Sequence, residues 1–464
     1  MAKEEKMAIL HDATVTPRDD RRARGKVLAG AVPHEKHCNW EPADKRPDPI
    51  DILLAQDEGR LPELVPIRYG RMLKSPHTFF RGAAAVMASD LSTTPISRVK
   101  VQLCGDCHSL NFGAFATPER NIVFDLNDFD ETLPGPWEWD LKRLAVSVVL
   151  IARENGLKKR DALAAAEQVA RAYRMKMAEL SSLAILDIWY YKLDWEETVN
   201  NVTCAALKKN LQDDLKKAVK KTSWRMFPKL TESDAGGLSK IKDNPPLIYH
   251  PDNDPDFMER AVWGLNAYKE SLQDDKRHLF ERYKLIDAAI KVVGIGSVGT
   301  RCYIILMMSP DGEPLFLQVK QANNSVLEKY TGKSEFENHG QRVVTGQRVV
   351  QSASDIFLGW FQGKQGVHFY VRQLRDTKVK LTTDTWEASH LIKMGTLFGE
   401  VLAKAHARSG DAATIAGYLG DGDTFDKALG SWAVQYADQT ERDHEALLKA
   451  VKDGRVKAEI LEDE

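Results

Sequence analysis

The sequence lacks most of the features that mark secreted, membrane-spanning and nucleic-acid-binding proteins. Its 464 residues include five cysteines, an odd number without the spacing of a metal site. No apolar run approaches the ~18 residues that a membrane-spanning helix needs, and the first residues lack the apolar core of a secretory signal. The net charge of −2 gives no general attraction to nucleic acid or to an anionic membrane. We therefore expect a cytoplasmic protein that binds neither nucleic acid nor membrane.

The sequence also lacks a convincing redox motif. Cys104 and Cys107 have the C-x-x-C spacing, but a thioredoxin-like pair opens a helix after a strand. Here the two cysteines enclose Asp106 and lead into a predicted loop. We expect free thiols, and we look for the chemistry of this segment in its other side chains.

Composition divides the chain into four parts. Residues 1–45 are charged and show no sustained periodicity, which predicts an extended arm or a poorly ordered tail. Residues 46–284 contain helical patterns and, near 223–256, a proline-rich segment that suits a linker or a long surface loop. Residues 285–378 have the pattern of five strands and one helix, and helical patterns return over 379–464. An α+β protein follows, with a small mainly β part and a large mainly helical part.

The segment of residues 104–131, CGDCHSLNFGAFATPERNIVFDLNDFDE, concentrates acidic and amide side chains. Like charges this close repel each other, so their density indicates a bound cation. Oxygen ligands without a cysteine–histidine cage favour Mg²⁺ or Mn²⁺ over zinc. Asp106 and Asn111 have the D-x-x-x-x-N spacing of a phosphotransferase catalytic loop, in which the Asp orients or deprotonates the acceptor hydroxyl and the Asn holds a metal. Asp125 follows the strand-like residues 121–124, where a second metal-binding aspartate is expected.

A glycine-rich turn lies in the predicted β meander of residues 285–320. Gly294, Gly296 and Gly299 have the spacing of a dinucleotide-binding fingerprint, but that motif needs a helix directly after the glycines. A β-rich run follows instead. A glycine hairpin can cover the phosphates of ATP while a lysine on the third strand neutralises them, and Lys320 has that position. Taken alone, the segment also fits a surface hairpin with a flexible turn.

Three other acidic-segment residues allow more than one role. Asp128 and Asp130 can bind a cation, cap the following Trp-rich helix or pair with Arg81. His108 has a side chain suited to proton transfer, and shaping the loop is its alternative role. Arg81 and the basic residues near it in the sequence also have two possible roles. Their side chains can pack along an apolar core, or they can contact phosphate directly.

The chain resembles the bacterial DUF2252 family over nearly all residues beyond 45. The segments that carry the resemblance are SPHTFFRGAA, CGDCHSLNFG, VFDLNDFDETLPGPWEWDLKRL, LQVKQA, QRVVTGQRVVQSASDIFLGW and LAKAHARSGD. The family in turn resembles protein-kinase-like and aminoglycoside-phosphotransferase-like enzymes, which share the GDxHxxN signature followed by a strand that ends in Asp. The resemblance implies a two-lobed protein-kinase-like fold with ATP and Mg²⁺ (or Mn²⁺) as cofactors.

The same resemblance implies a role for each matching residue. Asp106 is similar to the catalytic aspartate, with His108 beside it, and Asp140 and His406 are expected to support their loop. The metal ligands that the resemblance implies are Asn111 and Asp125. Asp128, from the same acidic segment, is a further candidate metal ligand that the resemblance does not supply. The nucleotide-binding residues that the resemblance implies are Gly294, Gly296 and Gly299 of the phosphate loop and Lys320, with Glu328 preferred over Glu337 as the glutamate partner of the lysine. Ser297, within the same loop, is a further candidate.

One departure from the kinase pattern concerns the order of the parts, because the catalytic segment precedes the glycine hairpin by almost two hundred residues. A circular permutation would reconcile the order, with residues 285–378 as the small lobe. The leading hypothesis is an ATP- and Mg²⁺-dependent phosphotransferase that transfers the γ-phosphate to an unidentified hydroxyl of a small molecule or protein. The alternatives are an AMP transferase on a kinase-like fold and a non-catalytic nucleotide-binding regulatory protein. Nothing in the sequence predicts an oligomeric state.

Overall fold

The structure, a computed structural model, describes residues 16–202, 204–220, 222–233, 239–252, 254–374 and 377–461. Helices and several sheets alternate over these ranges, which confirms the α+β class. None of the helices described there has both the length and the apolar content that crossing a membrane requires. The helices are α1 (Arg18–Ala31), α2 (Pro49–Ala55), α3 (Val65–Met72), α4 (Pro76–Gly82), α5 (Ala84–Leu91), α6 (Trp137–Glu154), α7 (Lys159–Leu180), α8 (Ile185–Tyr190), α9 (Trp195–Asn200), α10 (Ala205–Val219), α11 (Ser223–Leu230), α12 (Phe257–Lys269), α13 (Asp274–Phe280), α14 (Glu328–Thr331), α15 (His339–Val350), α16 (Ala388–Ser409), α17 (Ala412–Leu419) and α18 (Thr424–Lys452).

The strands form four sheets within the described ranges. A six-stranded sheet has the order β12-β13-β11-β10-β9-β8, a four-stranded sheet has the order β14-β2-β3-β5, and β1 with β4 and β6 with β7 form two-stranded sheets. The strands are β1 (Lys100–Leu103), β2 (Phe112–Ala116), β3 (Ile122–Leu126), β4 (Leu133–Pro136), β5 (Leu193–Asp194), β6 (Thr231–Ser233), β7 (Ser239–Ile241), β8 (Ile248–Tyr249), β9 (Lys284–Lys291), β10 (Cys302–Met308), β11 (Pro314–Gln321), β12 (Gly359–Gln362), β13 (His368–Gln373) and β14 (Lys378–Lys380).

The six-stranded sheet contains the predicted meander. β9, β10 and β11 pair antiparallel, with Cys302 opposite Lys320 and Ile304 opposite Gln318. Because side chains alternate along a strand, Lys320, Gln318 and Phe316 lie on one face of β11, and Val319 lies on the other. The meander of residues 285–320 is therefore confirmed, and the short β8 extends it at one edge.

The largest hydrophobic core lies among the long helices. Helix α6 is buried along its length from Trp137 to Ala152 and packs against α7, α16 and α18. The Trp137 ring stacks on Tyr173, with ring centroids 5.5 Å apart and planes 6° apart. This core also contains residues of β1, β2, β3 and β4, so buried strands flank the acidic segment at both ends.

The prediction of an extended or poorly ordered arm over residues 1–45 is wrong for its described part. Residues 18–31 form helix α1, which packs on the surface of α17. A Cβ on Gly25 would lie 2.1 Å from the Thr414 carbonyl oxygen, and one on Gly417 would lie 2.1 Å from that of Arg22. The two helices thus meet through glycines instead of through a wide apolar stripe. For that reason, the sequence of α1 shows no helical periodicity of apolar residues. Residues 1–15 lie outside the described residues.

The proline-rich segment of residues 223–256 is also more ordered than a linker. It contains α11, the β6-β7 hairpin and β8, and Ile241 of β7 is fully buried against the six-stranded sheet. Residues 236 and 237, both glycines, lie outside the described residues. Two helices, α12 and α13, follow the segment and are separated by a turn.

Candidate functional site

The loop that carries Asp106 is held from below by helix α6. The carboxylate of Asp140 accepts hydrogen bonds from the backbone N–H of Cys104 at 2.8 Å and of Gly105 at 3.1 Å. Gly105 has φ +86°, and a Cβ there would lie 2.3 Å from the Glu131 carbonyl oxygen, so only glycine fits. His406 of α16 lies 3.4 Å from the same carboxylate. Asp140 is thus bonded to the loop as expected, and His406 contacts the loop only through Asp140.

Asp106 is placed at the edge of a cleft and is oriented by an arginine. Arg143 Nε of helix α6 donates to Asp106 Oδ1 at 2.7 Å. Burial raises the pKa of Asp106, and the Arg143 charge opposes that rise. His108 Nε2 lies 3.8 Å from Asp106 Oδ2, too far for a hydrogen bond. Burial, Arg81 and Arg143 lower the pKa of His108 well below its usual value, so the imidazole is neutral at pH 7.

Asn111 and Asp128 lie in the same cleft as Asp106. The Asn111 side-chain amide nitrogen donates to the Asp106 carbonyl oxygen at 2.8 Å, which leaves its amide oxygen available. Burial and the neighbouring Asp130 raise the pKa of Asp128. Two carboxylates and an amide oxygen in one cleft are suitable ligands for Mg²⁺ or Mn²⁺, and a divalent cation would relieve the repulsion between the carboxylates.

Asp125, the other expected metal ligand, does not line this cleft, and its assignment as a metal ligand is therefore corrected. Its carboxylate oxygens both lie 2.7 Å from Lys404 Nζ of α16, and Oδ2 also accepts hydrogen bonds from Ser352. The Asp125 and Lys404 side chains are 1% and 0% exposed. The carboxylate is therefore an internal partner of a buried lysine, and Asp128, three residues later, has the position expected of the metal-binding aspartate.

Lys320 pairs with neither of the two glutamates considered for it. Lys320 Nζ lies 2.5 Å from Asp130 Oδ2. Glu328 instead accepts a hydrogen bond from Asn324 at 2.9 Å, and Glu337 is exposed. The glutamate assignment is thus a correction, because the acidic segment itself supplies the partner of the lysine.

Asp130 connects three parts of the chain. Besides Lys320 of β11, its carboxylate accepts hydrogen bonds from Tyr370 of β13 at 2.6 Å and from Ser297 of the glycine turn at 3.0 Å. Burial alone would raise the pKa of Asp130, but the charge and hydrogen bond of Lys320 with the Tyr370 hydroxyl lower it to about 2. Asp130 therefore neither caps the Trp-rich helix nor pairs with Arg81.

The glycine turn is held by arginines from the segment before the acidic one. Arg60 Nη1 donates to the Gly296 carbonyl oxygen at 2.9 Å, and Arg71 Nη1 donates to that of Gly294 at 2.6 Å. Gly294 has φ +69°, a conformation that favours glycine. The carbonyls of the turn are therefore held toward these arginines.

The cleft between the acidic segment and the glycine turn encloses about 130 Å³. Its lining includes Arg81, whose Nε is buried without a hydrogen-bond partner among the described residues, and whose pKa is lowered by burial. Glu131 also lines it, and burial raises the pKa of Glu131 to about 7. The expected site residues that line the cleft are Asp106, His108, Asn111, Asp128, Gly294, Gly296 and Ser297; those that do not are Asp125, Gly299, Lys320 and Glu328.

The roles that three residues have in this site were not predicted from the sequence. Arg143, which orients Asp106, and Glu131, which lines the cleft, were not singled out, and Asp130 was considered only for other roles. Arg143 lies three residues after Asp140 on a helix, so both face the same loop; that spacing was the available signal. The partners of Asp130 come from strands far along the chain and left no local signal.

The comparisons with known proteins give one match. A family model described as "Uncharacterized protein conserved in bacteria (DUF2252)" matches residues 60–450. No curated protein and no solved structure matches the chain.

Proposed function

Since the chain belongs to the DUF2252 family, whose description assigns no activity, we propose its function from the cleft: it is an ATP- and Mg²⁺-dependent phosphotransferase that transfers the γ-phosphate to a hydroxyl acceptor. The acceptor is a small molecule or a protein, and we place the activity in the cytoplasm. The proposed fold is a two-lobed protein-kinase-like one, reached by circular permutation.

One observation carries the proposal. Asp106, Asn111 and Asp128 line the same cleft as Gly294, Gly296 and Ser297, although the two groups are far apart in the chain. A catalytic aspartate, metal-binding oxygens and a glycine loop that can approach phosphates are the parts that phosphoryl transfer uses.

The order of elements after the glycine turn also supports a kinase-like lobe. The turn connects β9 and β10, Lys320 lies on the third strand, and helix α15 with strands β12 and β13 follows. In protein kinases the glycine-rich loop covers the phosphates, the lysine is on the third strand, and the next helix adjoins the lysine. Arg342 of α15 donates to the Asp130 carbonyl oxygen at 2.8 Å, so this helix also reaches the acidic segment.

The residues of the cleft have separate roles in the proposed reaction. Asp106, oriented by Arg143, accepts the proton of the acceptor hydroxyl as its oxygen attacks the γ-phosphorus and the bond to the bridging oxygen of ADP breaks. Arg81 offers its guanidinium to the phosphates. Asn111 and Asp128 would hold Mg²⁺, which neutralises the phosphate charge. Lys320 keeps Asp130 ionised, so the acidic segment retains a carboxylate at all physiological pH values.

A specific observation favours AMP transfer as a second candidate. On the Lys320 face of the sheet, Phe316 and Leu306 are covered by Phe227, Leu230 and Ile241 from the proline-rich segment. A nucleobase bound in the usual kinase orientation would use the apolar part of that face. ATP bound in the reversed orientation would not use that face. The acceptor would then attack the α-phosphorus, and pyrophosphate would be released.

The experiment uses ATP labelled separately at the α and γ positions, incubated with the full chain, Mg²⁺ and a bacterial extract of proteins and small molecules. We expect γ label in a product, loss of transfer with EDTA, and a loss of at least about 100-fold with Asp106→Asn, since a general base contributes roughly 10²–10⁴-fold. Asp311→Asn, on the exposed β10–β11 turn, is the matched control and should retain full activity. Transfer of α label alone would establish AMP transfer instead.

A second measurement separates catalysis from nucleotide sensing. Calorimetric titration with Mg²⁺ and a non-hydrolysable ATP analogue should show binding that weakens in Asp128→Asn. Binding without any label transfer would favour the regulatory alternative. An absence of both binding and transfer would overturn the proposed function.

A further inference from the structure

A second cavity, separate from the cleft, lies on the opposite face of the six-stranded sheet. It has a volume of about 380 Å³, within the range of roughly 300–1,000 Å³ for small-molecule sites. Its floor contains Val319, the neighbour of Lys320 on β11, and its roof is helix α12. Since adjacent strand residues point to opposite faces, a ligand here would not touch the Lys320 side of the sheet.

Aromatic and aliphatic side chains form most of the cavity wall. The Phe361 and Phe369 rings stack with centroids 5.0 Å apart, and Tyr303 lies between Phe369 at 6.1 Å and Phe257 at 5.7 Å. At one end, Gly264 of α12 brings its backbone so close that a Cβ would lie 3.0 Å from Phe361. The helix is thus in close contact with the sheet at that end.

The charged side chains that line the cavity, here called its rim, are Glu63, Asp254, Arg260, Arg301 and Lys364. Arg260 pairs with Asp254, and Lys364 lies 3.0 Å from Glu259. Arg301 differs from both, because its hydrogen bonds go to uncharged oxygens, Gln321 Oε1 at 3.2 Å and the Gly59 carbonyl at 3.4 Å. Within the part of the chain that the structure describes, Arg301 has no carboxylate in salt-bridge contact.

We propose that this cavity binds a small amphipathic anion, whose acyl or aryl body lies on the aromatic floor and whose carboxylate or similar head group pairs with Arg301. An apolar pocket with a few convergent polar groups is the usual form of a small-molecule site. An arginine at its edge selects a planar anionic head group, which it binds in a bidentate manner. Among the cations of the rim, Arg301 is the one that can pair with an anionic ligand without breaking an existing salt bridge to a carboxylate.

The cavity adjoins the proposed nucleotide site, so the two must be distinguished. Arg60 and Thr300 line the cleft, and their chain neighbours Leu61 and Arg301 line the cavity. The backbone N–H of Leu61 donates to the Gly299 carbonyl oxygen at 2.7 Å and closes the boundary between them. The proposed ligand site does not depend on the phosphotransferase proposal.

The test titrates the full chain with 8-anilinonaphthalene-1-sulfonate, an aromatic anion whose fluorescence rises in apolar sites. We expect saturable binding with 1:1 stoichiometry. Displacement by laurate and by 2-naphthoate distinguishes an acyl from an aryl ligand, with dodecanol as the uncharged control. Arg301→Gln should weaken binding about tenfold, in line with the loss of a charge-assisted hydrogen bond. Lys427→Gln, which removes an exposed cation paired with Asp423 and not among the residues that line the cavity, should leave it unchanged.

Two variants fill the cavity from different walls, Ala261→Trp from α12 and Val319→Phe from β11. Each is used if its circular dichroism and melting temperature match the wild type, and either should abolish binding. Unchanged binding in a folded filling variant would overturn the site. Equal displacement by dodecanol would overturn the anion preference, and displacement by Mg²⁺-ATP with loss of binding in Asp128→Asn would assign the cavity to the nucleotide site. A failure of the phosphotransferase assay alone would leave this result unaffected.

Discussion

The buried pair of Asp125 and Lys404 provides the sharpest test of the structure against the sequence. Lys404 Nζ lies 2.7 Å from both oxygens of the Asp125 carboxylate and 3.1 Å from the Val350 carbonyl oxygen. Both side chains are almost fully buried. Replacing Lys404 with Met would leave the carboxylate buried without its counter-ion. Removing one partner of such a pair costs about 3–5 kcal/mol, so we expect Lys404→Met to lower the free energy of unfolding by that amount.

A double-mutant cycle isolates the interaction from other effects of the substitutions. Asp125→Leu alone leaves the lysine charge buried and should cost a similar amount. The double variant Asp125→Leu with Lys404→Met buries neither charge, so we expect it to be more stable than either single variant, which corresponds to a coupling energy of at least about 3 kcal/mol. Lys364→Met, which breaks the exposed pair with Glu259, is the matched control and should change stability by less than about 1 kcal/mol.

The assay is equilibrium unfolding in guanidinium chloride, followed by circular dichroism and tryptophan fluorescence, with Mn²⁺ titration of each folded variant. If Asp125 is internal, the variants lose stability while the folded protein keeps its Mn²⁺ affinity. The reverse result for Asp125→Asn, weakened Mn²⁺ binding with unchanged stability, would refute this reasoning and restore Asp125 as a metal ligand.

Three further predictions concern the cleft. Glu131 has a pKa of about 7 in the fold, above its usual 4.5, so its contribution to stability is complete below pH 4.5 and is lost as the pH rises through 7; Glu131→Gln should remove that dependence in urea unfolding. Gly294→Ala should cost about 1–2 kcal/mol because φ is positive, whereas Gly296→Ala, whose Cβ would lie 3.4 Å from the nearest atom, should cost less in the same unfolding assay; equal costs would contradict the assigned backbone. Asp140→Asn should destabilise the fold by about 1–3 kcal/mol by weakening the bonds to two loop amides, and should lower kcat more than it changes KM; an unaltered kcat would argue against a positioning role.

Much of the small sheet followed from local sequence patterns. The runs of apolar residues separated by glycine turns predicted β9, β10 and β11, and the structure places them as an antiparallel meander. The start of α2 is another feature with a local signal, since Asp48 precedes Pro49 in the sequence and its side chain accepts a hydrogen bond from the Ile50 N–H at 2.8 Å. These features are local, because strand alternation, turn glycines and caps act over a few residues.

Contacts between distant parts of the chain could not be predicted from such local patterns. The α1–α17 contact depends on glycines that approach a carbonyl from another helix, and a glycine carries no hydrophobic signal. The partner of Lys320 could not be read from spacing for a similar reason: the glutamates considered are close to it in sequence, whereas Asp130 is close to it only in the fold.

The sequence by itself determined that a phosphotransferase-like spacing of Asp106 and Asn111 and a glycine turn with a following lysine occur in one α+β chain. Only the tertiary structure decided which carboxylates serve the cleft. Asp125 and Asp128 are three residues apart and chemically identical, but one is turned toward a buried lysine from a helix almost 280 residues later, and the other faces the cleft. Because burial and the nearest charge set the state of a carboxyl group, its role depends on neighbours that only folding supplies.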